Sequence, residues 1–230
     1  MTEKTFGTRK VTIYPAKGDR VPVVYSSDYE ESGQGVLRCC RELGAPDFHL
    51  VTVSNLSWDE DLSPWPHEPV VDRNDHFTGG ADAYLQFLLE EVMPFAERAL
   101  EEQVSARILA GYSMAGLFSA YAPFCTDAFD AFVSASGSVW YPGFRDYFVQ
   151  HDFRKKPKAM YFSLGDKETR TRNPYLRTTD AVFLELLEEC RRRGISAIYE
   201  KNPGNHFVDG DLRIAKGIRW VLEELPAEME

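Results

Sequence analysis

The sequence has few cysteines and histidines, and neither type is spaced as a metal site requires. Four cysteines occur in 230 residues, and two of them, Cys39 and Cys40, are adjacent. Adjacent cysteines form neither a comfortable disulfide nor a Cys-x-x-Cys metal knuckle. The five histidines have no metal-ligand spacing either. We therefore expect reduced cysteines, no metal and no cofactor, which favours a cytoplasmic protein.

An excess of positive charge and a long apolar run are also missing. Lys and Arg number 26 against 36 Asp and Glu, which gives a formal net charge of −10 at pH 7. Binding to nucleic acid depends on Lys and Arg that neutralise phosphates, so this composition argues against a nucleic-acid partner. No apolar run has the length that crosses a bilayer, and the polar start Met1–Thr5 has no hydrophobic signal core. We expect no membrane partner, and the sequence does not indicate an oligomeric state.

What is present is the pattern of a globular α/β protein. Hydrophobic residues make up 43% of the chain and aromatic residues 13%, enough for one large core. Apolar strand-like runs alternate with segments of helical spacing, which predicts a single α/β domain over residues 1–230, with a mainly parallel central sheet and helices on both faces. The predicted strands are Arg9–Tyr14, Val21–Ser26, Phe48–Ser54, Ala106–Ala110, Ala131–Ser136, Lys158–Leu164 and Ser196–Lys201. The predicted helices are Val36–Leu43, Ala81–Glu102, Met114–Ala120, Tyr175–Arg193 and Leu212–Leu225.

Two segments carry more specific expectations about topology. Arg9–Tyr14 and Val21–Ser26 are separated by the turn sequence Lys17–Asp19, which predicts a hairpin whose second strand enters the centre of the sheet. Leu56–Gly80 is rich in proline and aromatic residues and has little periodicity. A long loop of this kind in a compact domain is usually functional, so we expect it to cover the mouth of a pocket.

Ser113 lies in the turn of a predicted strand–turn–helix unit over residues 106–120. Small residues flank it, with Gly111 two positions before the serine and Ala115 and Gly116 after it. This pattern is typical of the nucleophile elbow, in which small side chains let the strand and the helix approach closely. It departs from G-x-S-x-G only at Ala115, the mildest change available. An ordinary turn whose serine caps the helix is the alternative interpretation.

Two further loops follow predicted strands directly, as Ser113 does. One contains Asp166 and Glu168 after the strand that ends at Leu164, and the other contains His206 after the last predicted strand. Because the carboxyl ends of parallel strands meet at one edge of a sheet, all three loops should project from that edge. The order of nucleophile, acid and base along the chain is the order expected of an α/β hydrolase.

Taken together, these segments resemble the α/β-hydrolase fold, in the putative-esterase branch that includes esterase D and the ferric enterobactin esterases. The stretches that carry the resemblance span most of the domain: Gly79–Tyr84 leading into Phe87–Pro94, Gly111–Leu117, Ser136–Trp140, Leu164–Glu168 and Gly204–His206. One departure concerns the oxyanion hole. Many relatives have His-Gly after the strand that here ends at Tyr25, whereas this chain has Ser27-Asp28-Tyr29.

The resemblance implies a serine esterase in which Ser113 is the nucleophile, His206 is the general base and a carboxylate after Gly165 orients the histidine. Glu168 is the preferred acid, because the acid commonly stands a few residues past the strand end and glutamate has the longer reach. Asp166 directly follows the glycine, and its short side chain is better suited to bond the turn, so it is the alternative acid. A dyad oriented by a carbonyl or a water is the third possibility.

Candidates for the oxyanion hole and the substrate pocket follow from the same comparison. The backbone N–H of Met114 should point at the developing oxyanion, with a second N–H from residues 28–30, for which we take Tyr29. Tyr112, Trp140 and Tyr141 are candidate lining residues of the pocket. Core packing is an equally good interpretation of Trp140 and Tyr141.

The predicted function is hydrolysis of a small or moderate-sized carboxylic ester, or a thioester, through an acyl-enzyme intermediate. Acyl transfer with the same triad is one alternative, because an alcohol can replace water in the second step. A non-catalytic binding protein on a hydrolase scaffold is another. The expected partner is therefore a small-molecule ester substrate.

Overall fold

The computed structural model describes residues 1–18, 20–29, 31, 33–100 and 104–225. The strands are β1 (Thr2–Phe6), β2 (Arg9–Tyr14), β3 (Val23–Ser27), β4 (His49–Ser54), β5 (Pro66–His67), β6 (Phe77–Thr78), β7 (Arg107–Tyr112), β8 (Ala131–Ala135), β9 (Ala159–Gly165) and β10 (Ser196–Asn202). The α-helices are α1 (Gly33–Glu42), α2 (Trp58–Leu62), α3 (Ala81–Phe87), α4 (Met93–Leu100), α5 (Met114–Tyr121), α6 (Phe144–Gln150), α7 (Thr179–Arg192) and α8 (Gly210–Glu224).

Eight of these strands form one sheet in the order β1-β2-β4-β3-β7-β8-β9-β10. Every neighbouring pair from β4 to β10 is parallel, and β1 and β2 add an antiparallel edge. The strands β3, β4, β8 and β9 are buried along their whole length. Strands that are buried on both faces have continuous apolar sequences, which is why the sequence predicts them. The prediction of a mainly parallel sheet is confirmed.

Helices cover both faces of this sheet, as predicted. On one face, α1 and α8 enclose an apolar cluster that includes Val36 and Ile218. On the other face, α3 to α7 enclose a larger cluster that includes Tyr84, Phe118 and Phe183. Of the helices in the described residues, none combines the length and apolar character that a bilayer crossing requires.

The predicted hairpin between the second and third strands is wrong. Leu50 of β4 pairs with Tyr14 of β2 on one side and with Val24 of β3 on the other, so β4 separates the two strands. The strand β3 does lie at the centre of the sheet, between β4 and β7, and it is buried along its whole length. The edge beside β2 is occupied by β1, which the sequence analysis missed because its residues are mostly polar and exposed.

Two helical predictions also differ from the structure, and short helices were missed. The single helix predicted over Ala81–Glu102 is divided by a π-helical turn, Leu88–Val92, just before Pro94; residues 101–103 lie outside the described part. Proline has no N–H to continue the ladder, which explains the irregular turn. A 3₁₀ turn precedes α7, which therefore begins at Thr179 and not at Tyr175. The short helices α2, in the segment predicted as a loop, and α6 were not predicted, because five and seven residues give little periodicity.

A glycine in α8 generates a prediction about this packing. A Cβ on Gly217 would lie 2.4 Å from Cγ1 of Val133 and 2.6 Å from Cδ1 of Tyr161, both buried in the sheet. We expect Gly217→Val to lower the free energy of unfolding by about 3 kcal/mol, because the helix must move away from the sheet. Glu223→Ala, at an exposed position of the same helix, should change the free energy of unfolding by less than about 0.5 kcal/mol. Urea unfolding measures both, and equal midpoints would contradict this account of the packing.

Candidate active site

Ser113 occupies a strained turn between β7 and α5. Its backbone has φ 58° and ψ −122°, a region that residues with a side chain rarely adopt. The turn is held from both sides: the Ser113 N–H donates to the Ala135 carbonyl at 3.2 Å, and its carbonyl accepts from the Ser138 N–H at 2.9 Å. Such strain persists only where the surrounding structure enforces it, and it is common at functional sites.

Small residues around the turn are required by close backbone contacts. A Cβ on Gly111 would lie 2.2 Å from the Ala115 carbonyl oxygen, and one on Gly116 would lie 2.8 Å from Cα of Gly137. The methyl group of Ala115 fits in this turn, and the residue is only 1% exposed. The departure from G-x-S-x-G therefore leaves the elbow intact, because the second close approach occurs at Gly116.

His206 and Glu168 contact each other directly. Nδ1 of the histidine lies 2.7 Å from Oε2 of the glutamate. A carboxylate only accepts hydrogen bonds, so this contact requires the proton on Nδ1, and in the neutral ring Nε2 is then an acceptor. His206 and Ser113 line the same cavity.

The other oxygen of Glu168 is held by three donors. Oε1 accepts hydrogen bonds from the Gly165 N–H at 2.7 Å, the Ser136 hydroxyl at 2.8 Å and Nη1 of Arg213 at 2.7 Å. Burial by itself would raise the pKa of the Glu168 carboxyl. The hydrogen bonds from His206, Gly165 and Ser136 outweigh burial, so this pKa lies below its usual value and the group is ionised at neutral pH.

Asp166, the alternative acid, makes a different contact. Its Oδ1 accepts a hydrogen bond from the Gly204 N–H at 2.9 Å, and its own N–H donates to the Asn202 carbonyl at 2.8 Å. Asp166 therefore ties the turn after β9 to the turn after β10, and the carboxylate in contact with His206 is that of Glu168.

The two residues predicted to supply the oxyanion hole, Met114 and Tyr29, both line the cavity. Met114 is the first residue of α5, where helical N–H groups lack partners within the helix, and it lines the cavity as Tyr29 does. Among the residues that the structure describes, none accepts a hydrogen bond from the Tyr29 N–H. The Asp28 N–H is already bonded to the Val53 carbonyl at 2.8 Å, and Glu30 lies outside the described residues.

The cavity has a volume of about 530 Å³. Its walls come from the elbow, the histidine loop, the end of β3, the start of α8 and the segment 56–80. The prediction that this segment lies at the pocket is thus met by lining residues, within a segment that forms α2, β5 and β6. The described lining residues are Ser26, Ser27, Asp28, Tyr29, Trp58, Val71, Asp75, Phe77, Tyr112, Ser113, Met114, Ser138, Trp140, His206, Phe207, Gly210, Asp211 and Ile214. A concavity of about 570 Å³ between α6 and α7 is lined mainly by charged residues and contains none of the predicted catalytic residues.

The three predicted pocket residues have different positions. Trp140 lines the cavity. Tyr112 also lines it, and its hydroxyl donates to the His206 carbonyl at 2.6 Å. Tyr141 is not a lining residue: it is 1% exposed, its hydroxyl donates to the Trp65 carbonyl at 2.6 Å, and its ring packs on Phe77. Tyr141 thus follows the alternative interpretation, core packing, because its side chain is buried against Phe77 and Trp65.

Arg213 is a residue of this site that the sequence analysis missed. It contacts Glu168 and Ser136 yet lies on α8, far along the chain from the elbow. One signal was available: Arg213 shares an apolar helix stripe with Gly217 and Val221, at intervals of four residues, where a charged side chain is unusual. In the described part of the chain, no group of three or more His, Cys, Asp or Glu could hold a metal ion.

Comparison with known proteins provides a family match. The family model described as "Putative esterase" matches residues 3–196, which include Ser113 and Glu168 and end before His206. A Bacillus subtilis protein, "Uncharacterized protein YbbA", is 23% identical over 211 residues, which cover 82% of each chain.

Two fungal proteins are also similar. The "Siderophore enterobactin esterase" of Emericella nidulans is 41% identical over 66 residues, which cover 27% of this chain and 22% of that protein. The solved structure of the siderophore hydrolase EstB from Aspergillus nidulans superposes with a TM-score of 0.77 and 22% identity, and the alignment covers 96% of this chain and 93% of that chain. At this identity the structural likeness supports the fold.

Proposed function

Because the chain belongs to the esterase family, a family of hydrolases that act on esters, we propose that it cleaves carboxylic esters by a serine mechanism. Ser113 is the nucleophile, His206 is the general base and Glu168 is the orienting acid. The observation that carries this proposal is the 2.7 Å contact of Glu168 with His206, which lines the same cavity as the strained Ser113. The same geometry disfavours the dyad, because a carboxylate already orients the ring.

The first half of the reaction forms the acyl-enzyme. Nε2 of His206 takes the proton of the Ser113 hydroxyl while Oγ attacks the ester carbonyl. The ionised Glu168 stabilises the imidazolium, and the N–H groups of Met114 and Tyr29 bind the oxyanion. His206 then gives the proton to the leaving alcohol. Water repeats the sequence on the acyl-enzyme, which releases the acid and restores the serine.

The cavity supports a small or moderate-sized ester as the substrate. Its volume of about 530 Å³ lies in the range of small-molecule sites. Aromatic rings of Trp58, Phe77 and Trp140 favour an apolar or aromatic group beside the ester. Siderophore esters, which the fungal relatives' names specify, belong in the substrate screen together with simple acyl esters and thioesters.

Two alternatives share this scaffold. An acyltransferase would pass the acyl group to an alcohol instead of water, and product analysis with an added alcohol separates the two. A non-catalytic binding protein would leave Ser113 unreactive. The contact of His206 with Glu168 argues against that alternative, since a binding protein has no need of an oriented base. Labelling with a serine-reactive phosphonate tests it directly.

The proposed nucleophile generates the first prediction of the serine mechanism. We expect Ser113→Ala to lower kcat for a short p-nitrophenyl ester by a factor on the order of 10⁶, as for the nucleophile of a well-studied serine protease. Stability should not fall, because the Ser113 hydroxyl makes no hydrogen bond to the residues that the structure describes. Steady-state kinetics with a matched Tm measurement checks this, and phosphonate labelling should disappear with the hydroxyl. Activity above about a tenth of wild type would overturn the role of Ser113.

The two carboxylates near β9 generate the second prediction. In Glu168→Gln, an amide nitrogen facing His206 would donate to Nδ1, which forces the proton onto Nε2 and removes the base. We expect kcat to fall by about 10⁴, as for the corresponding acid-to-amide change in a serine protease. Asp166→Asn weakens one turn hydrogen bond and should cost about 1 kcal/mol of stability with kcat nearly unchanged. The reverse pattern in kcat and Tm would make Asp166 the acid.

The charge of the cavity generates the third prediction. Among the described lining residues are Asp28, Asp75 and Asp211, and none is a lysine or arginine. An anionic acyl group should therefore be repelled. We expect kcat/KM for p-nitrophenyl butyrate to exceed that for mono-p-nitrophenyl succinate by about tenfold or more, a difference of about 1.4 kcal/mol.

Two variants test whether charge in the cavity causes this difference: one removes a charge inside the cavity and the other removes a charge outside it. The side chain of Asp75 accepts hydrogen bonds from three backbone N–H groups, and Asp75→Asn keeps an oxygen that can accept them. The loop should therefore remain in place, while the preference for the butyrate ester over the succinate ester becomes smaller. Asp127→Asn changes an exposed aspartate outside the cavity and should leave the preference unchanged. Faster cleavage of the succinate ester by the wild type would contradict the predicted charge selectivity.

A further inference from the structure

The side chain of Arg213 is buried in the core beneath the site. Its relative exposure is 1%, and it does not line the cavity described above. Burying a guanidinium is unfavourable unless its charge and its donors are satisfied. The hydrogen-bond partners of Arg213 therefore show which groups the buried guanidinium holds in place.

One end of the guanidinium binds the residues that hold the acid. Nη1 lies 2.7 Å from Oε1 of Glu168, 2.8 Å from Oγ of Ser136 and 3.1 Å from the hydroxyl oxygen of Tyr112. The Ser136 hydroxyl donates to the same Oε1. These contacts occupy one oxygen of the carboxylate and leave the other, Oε2, directed at His206.

The other end of the guanidinium binds the loop that carries the base. Nη2 donates to the Pro203 carbonyl at 3.0 Å and to the Asn205 carbonyl at 2.9 Å. The next carbonyl, that of His206, accepts from the Tyr112 hydroxyl, which also contacts Nη1. The planar guanidinium thus reaches both loops at once, which an ammonium group on a flexible stem cannot do in the same geometry.

We propose that Arg213 is a positioning residue that locks the Glu168 carboxylate and the His206 loop into one geometry before substrate binds. This inference rests on the proposed serine mechanism for its kinetic consequence. The geometric part of the inference is independent of that mechanism, because the contact between His206 and Glu168 exists whether or not the reaction is the one proposed. A group that acts in this way affects kcat through the base and leaves substrate binding alone.

The test uses Arg213→Lys, which keeps the charge and loses the planar fork. We expect kcat to fall by a factor on the order of 10², with KM changed less than threefold, when measured well below Tm so that the variant is folded. The matched control is Arg219→Lys in the same helix, whose side chain is 43% exposed and should leave kcat unchanged. A kcat equal to wild type in folded Arg213→Lys would overturn the proposal.

Coupling to the acid separates positioning from general stability. If Arg213 acts through Glu168, the double variant Arg213→Lys/Glu168→Gln should have a kcat close to that of Glu168→Gln alone. A purely structural role predicts that the two losses multiply. That outcome would contradict the inference.

A spectroscopic measurement needs no substrate and separates this proposal from the proposed function. The Nδ1 proton of His206, bonded to a carboxylate, should give a downfield proton NMR signal that is absent in His206→Gln. We expect the signal to be lost or broadened in Arg213→Lys, even if no tested ester is hydrolysed. Its persistence unchanged would overturn the inference and leave the ester hydrolase proposal standing.

A milder variant covers the case in which Arg213→Lys does not fold. Ser136→Ala removes one donor to Oε1 while Arg213 stays in place, and Ser136 does not line the cavity. We expect kcat to fall by about tenfold with KM unchanged, and this loss should vanish in a Glu168→Gln background. A kcat equal to wild type in Ser136→Ala would contradict the proposal that the network around Oε1 positions the acid.

Discussion

The two oxygens of the Glu168 carboxylate have separate partners, and the arrangement of the site depends on this division. Oε1 is held by donors from three places in the fold, namely the Gly165 N–H, the Ser136 hydroxyl and the Arg213 guanidinium. Oε2 contacts His206 alone among the bonds to the described residues. A carboxylate with one oxygen held in this way cannot rotate away from the imidazole, so the ring orientation follows from the core beneath it. The hydrogen bonds from His206, Gly165 and Ser136 hold the pKa of this carboxyl below its usual value despite its burial.

Strand register brings the parts of the site together. Tyr112 at the end of β7 pairs with Ala135 at the end of β8, so the next residues, Ser113 and Ser136, leave the sheet side by side. Gly165 of β9 pairs with Asn202 of β10, which sets the loop that contains Glu168 beside the loop that contains His206. Parallel strands end at one edge, and functional loops of open α/β sheets gather there. A shift of one residue in either pairing would turn these side chains to the opposite face.

Most of the fold and part of the site could be predicted because their signals are local. Buried parallel strands are apolar runs, and the small residues around Ser113 reflect a turn of a few residues. The errors occurred where the deciding contact is distant or the signal is short. The insertion of β4 beside β2 depends on sheet assembly, and α6 has only two turns. Whether Tyr141 faces the cavity or the core depends on Trp65, far away in the sequence.

By itself, the sequence determined the α/β architecture, the tight turn at Ser113 and the placement of Ser113, Glu168 and His206 just after three strands, because periodicity and turn composition are properties of neighbouring residues. Only the tertiary structure decided between Glu168 and Asp166 as the partner of His206, and only it revealed Arg213. The two carboxylates differ by two positions in the chain, and the turn after β9 directs one of them at Gly204 and the other at the histidine. The partners of a buried charge come from strands and loops that meet only when the sheet is complete.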